Sequence, residues 1–224
     1  MKKNDIIYVL VMAAITLIFV LPGSRAVFED ATREMPYLMG FVKTAILASL
    51  GELLADRIVT KKYFARPGIA LRFLVWGVLG MGFVLMFQVF ALGVAGAMEA
   101  GYLPFLSATT VAGRILGAFF TSLIMNLIFA PTFMMLHRIT DQYIELSGDC
   151  WRNLGHVKLA EAVDRIDWKR FIGFVVLQTI PIFWIPAHTI TFLLPAEYRV
   201  LMAGYLSIAL GLILTLSRRT KNPK

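Results

Sequence analysis

The sequence is poor in the residues that most chemistry requires. One cysteine, Cys150, occurs in 224 residues, so neither an intramolecular disulfide nor a zinc ribbon can form. There are three histidines, and H-E-x-x-H, G-x-S-x-G, a P-loop and a dinucleotide fingerprint are all missing. His137 and Asp141 stand one helical turn apart, but two ligands are too few for a metal site, and an interfacial hydrogen bond is the simpler reading. No catalytic residue, cofactor or metal is expected. Charge is scarce as well: 16% of residues are charged, against about 25% in soluble domains. Linkers rich in Pro, Gly or Ser and low-complexity tracts are absent, so a single domain is expected. No internal repeat signals an inverted-repeat transporter.

What the chain does have is apolar length. Hydrophobic residues make up 58%, against roughly 45–50% in soluble domains. They gather in Ile6–Pro22, Phe41–Val59, Ile69–Met98, Phe105–Leu136, Phe171–Leu194 and Arg199–Leu216. A helix crosses the hydrocarbon core with about 20 residues, so the first stretch is marginal and the others suffice. The expected fold is all-α: a polytopic transmembrane helix bundle of about six spans.

Basic residues sort by side. With the N-terminus placed in the cytoplasm, 16 of them fall inside, and only Arg25, Arg33 and Arg199 fall outside. The positive-inside rule then puts both termini in the cytoplasm. The net charge of +8 belongs to topology and anionic headgroups, without the basic-aromatic groove that nucleic acid would need. Lipid is therefore the partner read from the sequence, and a homo-oligomer is left open. Ser24 and Ala26 resemble a signal-peptidase site, yet the run before them is long for a signal core. Residues 1–35 are read as an extra span plus outer loop, and 36–224 as the main bundle. Without transit-peptide character, a prokaryotic cytoplasmic membrane is preferred to an organelle.

The longest stretch outside the membrane is Ile139–Asp167. Within it, Asp149–Ile166 mixes Trp151, Leu154 and Val163 with charges, as an interfacial helix on the inner face would. Gly113 and Gly117, together with Gly77, Gly80 and Gly82, mark expected close helix contacts, and Ser207 and Gly211 repeat the spacing. Pro131 should kink the fourth span, and Pro181 and Pro186 should distort the fifth.

Charges within spans cost about 2.5–3.5 kcal/mol each on insertion scales. On the second span Ser49, Glu52 and Asp56 share one helix face, with Lys43 opposite and close enough to the outer boundary to snorkel. Glu52 and Arg114 could pair near mid-membrane. Gln88, Asn126, Gln178, His188 and Thr191 supply further polar groups. As a set they are either interhelical glue, at about 0.6 kcal/mol per hydrogen bond, or the lining of a hydrated path.

The segment from Trp184 through Pro186, His188, Thr191, Phe192 and Pro195 to Arg199 resembles the hallmark of the Mpv-seventeen and peroxisomal membrane protein family. Lys43 to Gly51-Glu52 is similar to that family's first span, and Asn126 to Pro131 to its Asp-Gln-x-x-x-x-Pro segment. The resemblance covers Pro36 to about Ser217. It departs where Met125 and Asn126 replace Asp and Gln, and where His188 and Thr191 replace Gln and Asn with shifted spacing. The family is described with four spans, fewer than hydropathy gives here. The resemblance implies a weakly selective channel for ions or small metabolites. The rival is a non-conducting scaffold or assembly factor that binds a partner through the basic inner loop.

Overall fold

Inside a bilayer a chain must satisfy its backbone groups internally, which apolar runs of this length do by coiling into helices. The computed structural model describes residues 3–148 and 150–221. Lys2 and Lys224, counted among the 16 inside basic residues, and Asp149, which opens the inner segment, lie outside them. Among the described residues there is no strand. The chain forms α1 (Lys3–Val20), α2 (Pro22–Glu34), α3 (Pro36–Thr60), α4 (Ile69–Glu99) and α5 (Val111–Ser147). A 3₁₀ turn (Trp151–His156) and two short helices, α6 (Leu159–Asp164) and α7 (Trp168–Arg170), lead into a π-helical stretch (Phe171–Trp184). Then come α8 (Ile185–Leu193) and α9 (Ala196–Lys221).

Six of these segments are long and apolar enough to cross a membrane: α1, α3, α4, α5, the run Trp168–Leu193 and Ala196–Ile213 of α9. This is a multi-pass integral membrane protein. α3 is central, packed along α4 and α9, while α5 lies along α4 and α8. One face of the bundle carries the start of α1, the end of α3 and the α5–α7 connection; we call it the terminal face. The opposite face carries α2 and the start of α9. α1 buries none of its residues, as expected of an apolar helix turned largely to lipid.

Several local expectations change. The outer loop after the first span is the helix α2: Pro22 opens it at the first turn, where a missing N–H is harmless, and Phe28 and Thr32 face inward. α5 starts later and ends later than its apolar run. Thr110 caps it by accepting from Gly113 N at 3.0 Å, and Gly148 ends it in the left-handed region at φ 63°. Ile139–Ser147 is therefore helix, and the single interfacial helix is replaced by the 3₁₀ turn and α6. Pro131 sits inside α5 without breaking it. In the fifth span the proline distortion takes the form of widened turns. Thr179 Oγ1 donates to Phe174 O (3.1 Å) and Gln178 Nε2 to Gly173 O (3.1 Å), both reaching five residues back. Regular α-helix resumes just before Pro186.

The close contacts are also redistributed. A Cβ on Gly80 would collide with Gly40 O and the Thr44 side chain, and one on Gly77 with the Phe41 ring. The α3–α4 approach rests on these glycines. Gly82 meets nothing within 4 Å, and Gly113 faces the Ser107 carbonyl of its own preceding loop rather than another helix.

Candidate functional site

The inner half of α3 brings Ser49, Glu52 and Asp56 onto one face, and all three line a small cavity of about 10 Å³ at the terminal face. That is space for about one water. α4 supplies Arg72 from its first turn and Trp76 one turn later. α5 supplies His137, Asp141 and Glu145, and the α3–α4 loop supplies Arg66. Arg72 is 3% exposed. It donates to Asp141 at 2.5 Å and Glu145 at 3.2 Å, with Glu52 at 3.9 Å. Glu52 accepts from Trp76 Nε1 (3.0 Å), and Asp56 from Arg66 Nε (2.8 Å). His137 lies against the Trp76 ring with centroids 4.1 Å apart, and its Nε2 is 4.0 Å from Glu52 and 3.6 Å from Asp141. Glu52, His137 and Asp141 thus converge from two helices closely enough to suit a cation. Arg72, however, already occupies Asp141 as a counterion. Beside this cluster Arg57 holds Asp5 of α1 (2.7 Å), and Tyr63 donates to Asp5 (3.0 Å). Burial, with that hydrogen bond, raises the Tyr63 phenol's pKa.

At the opposite face a larger cavity of about 360 Å³ opens between α2, α3, α4 and α9. Thr32, Arg33, Lys43, Gln88, Glu197 and Arg199 are its polar lining. Tyr37, Val84, Leu85 and Phe87 contribute apolar wall. Lys43 is 6% exposed. Its Nζ donates to Glu197 O (3.2 Å) and Thr32 Oγ1 (3.4 Å) and sits 4.9 Å from the Phe28 ring centre. It therefore snorkels toward this face as expected but ends in protein. Arg199 donates to the carbonyls of Leu194 (3.1 Å) and Phe192 (3.4 Å), pinning the turn between α8 and α9. Glu197 is held by Arg33 at 2.9 Å.

The polar candidates from the sequence thus divide. Glu52 joins the terminal-face cluster and Gln88 the opposite cavity. Asn126, His188 and Thr191 are buried between α5 and α8: Asn126 donates to Ser122 O (2.9 Å), Thr191 to Ala187 O (3.0 Å), and His188 stacks on Trp184. Both hydrogen bonds stay within their own helix, and the bond across to the fifth span is made by Ser122 Oγ donating to Ile185 O (2.7 Å). Gln178 is exposed. Arg114 is exposed too, because α5 begins only at Val111 and leaves it one turn from the opposite face. The Glu52–Arg114 pair is not formed. Arg72, Trp76 and Arg66 are the partners that replace it. Arg72 is one of the 16 basic residues that the charge sorting places inside, and no local signal in the sequence joins it to α5.

The residues that carry the family resemblance are spread over α3, α5 and the fifth and sixth spans. Gly51 lies against Ile208 of α9, Pro131 is within α5, Trp184 and Phe192 are buried, Pro186 opens α8, and Pro195 precedes α9. Comparison with family models, with curated proteins and with solved structures returned no match.

Proposed function

We propose that the protein is a passive, non-catalytic conductor of small ions or metabolites, the reading that the Mpv-seventeen resemblance also implies. The observation that carries it is the approach of the two cavities. The opposite-face cavity reaches Lys43 and the terminal-face cavity reaches Ser49, six residues apart and so about 9 Å along the α3 axis. Thr44 lies between them, and both Thr44 Oγ1 and Ser49 Oγ are buried with no hydrogen-bond partner among the described residues. Such hydroxyls favour a route that admits water. The Gly40–Gly80 contact beside Thr44 would hold that route shut in this conformation. By its charge sorting, the terminal face would be cytoplasmic.

Flux through purified protein in liposomes of neutral phospholipid tests this. Protein-dependent ion flux should fall about tenfold or more in Ser49→Leu, since a dry constriction opposes hydrated ions. Arg114→Met should leave it unchanged. Silence from folded, inserted protein across several ions and small solutes would sink the conductor. The second reading, a scaffold, is favoured by Trp151 (60% exposed) and Leu159 (58% exposed) on the terminal face. They stand among Arg152, Lys158 and Arg165, a surface suited to a partner or to headgroups.

A further inference from the structure

Two cations at the opposite face, Lys43 and Arg199, make no ion pair with a carboxylate among the described residues and feel Glu197 only at longer range. Among the described residues, Lys43 Nζ finds a backbone carbonyl, a hydroxyl and an aromatic ring. Arg199 finds two carbonyls and the Phe192 ring, 5.5 Å from its guanidinium carbon. The one acid in the cavity lining, Glu197, is engaged by Arg33. Burying a cation without a close counter-charge is expensive, and buried Lys43 and half-buried Arg199 border the same 360 Å³ opening, within the size range of ligand sites.

Depth narrows the occupant. α3 has 25 residues, about 37 Å at 1.5 Å per residue, against a hydrocarbon core of about 30 Å. If α3 is centred, Pro36 stands at headgroup level, and Lys43 begins about 10 Å further in but sends its amine back out. Beside the opening, Tyr37, Leu38, Leu85 and Val89 are 46%, 54%, 44% and 50% exposed, an apolar bank along which an acyl chain can lie. A soluble anion would leave that bank unused.

We propose that the cavity between α2, α3, α4 and α9 binds the phosphate headgroup of an anionic bilayer lipid, held by Lys43 and Arg199. The headgroup supplies an anion that can pair directly with both side chains while Glu197 stays engaged by Arg33, and its glycerol faces Gln88. Seated there, it also occupies the mouth of the proposed path. Retention of lipid is measured without flux, so the two proposals fail separately.

Full-length protein is stripped of lipid in detergent and offered dioleoyl phosphatidylglycerol, dioleoyl phosphatidylcholine or inorganic phosphate. Bound lipid is counted by native mass spectrometry, and protection by thermal unfolding. Phosphatidylglycerol should be retained about tenfold or more over phosphatidylcholine, and the Lys43→Gln/Arg199→Gln double variant should erase that preference. Leu85→Trp, which fills the cavity without touching a charge, should erase it too and decides the matter if the double variant does not fold. Arg152→Gln/Lys158→Gln, on the terminal face, should preserve it. A wild-type ratio near one, or a ratio untouched by the charge and cavity variants that fold, overturns the proposal. So does equal protection by inorganic phosphate, which would assign the cavity to a soluble anion.

Discussion

Arg72 meets three carboxylates from two other helices at almost complete burial. Its loss would leave Asp141 without its closest counter-charge in a poorly solvated place, while Glu52 would keep Arg66 at 3.7 Å. Removing one partner of a buried pair typically costs 3–5 kcal/mol, roughly, while replacing both with apolar groups costs far less. Arg72→Met should therefore destabilise the protein by about 3–5 kcal/mol, read by denaturant unfolding in micelles. Arg72→Met/Asp141→Leu should recover much of that loss, and additive effects would mean that the pair does not act as a unit. Lys43 presents the contrasting case. It is equally buried but satisfied by neutral groups, which is why it points to a ligand where Arg72 points to architecture.

The α3–α4 pair depends on absent side chains. Gly80 faces Gly40 across the contact, and any Cβ there must push the helices apart. Overpacking of this kind costs about 1–3 kcal/mol or more. Gly80→Val should lower stability by at least that amount, whereas Gly82→Ala, in open space, should stay within about 1 kcal/mol of wild type. Equal effects in thermal unfolding would show that the contact does not set the helix spacing. The fifth span shows the other way in which an element departs from regularity. Pro181 cannot donate to the turn before it, and the surrounding widened turns are braced by Thr179 and Gln178 hydrogen-bonding back to the backbone. Gln178, read from the sequence among the polar residues of the membrane interior, is engaged in this bracing while its side of the helix faces outward.

For the whole molecule, the charge distribution and the bundle make one prediction about placement. Cys150, on the terminal face, should react with a membrane-impermeant maleimide only from the cytoplasmic side. A cysteine at Ser107, in a Cys150→Ser background, should react only from the other. Ser107 is exposed in the loop before α5, so access does not limit the measurement. Reversed labelling would overturn the positive-inside assignment. The two cavities sit at the two ends of this arrangement, and both are lined by α3 and α4.

The number of crossing helices was legible in the sequence, because apolar length is a local property and the bilayer sets its threshold. The common face of Ser49, Glu52 and Asp56 was legible too, since helical periodicity alone places them together. Residue pairing was not. Glu52 meets Trp76, Arg66 and Arg72 instead of Arg114 because α3 and α4 are juxtaposed by glycine contacts, and α5 by packing on α4, that no single helix encodes. α2 escaped notice since its polar face masks Phe28 and Thr32. Sequence determined which segments are long and apolar enough to lie in a bilayer; tertiary structure decided the level of their polar groups and which of them touch, because helix ends and contacts depend on packing across the whole bundle.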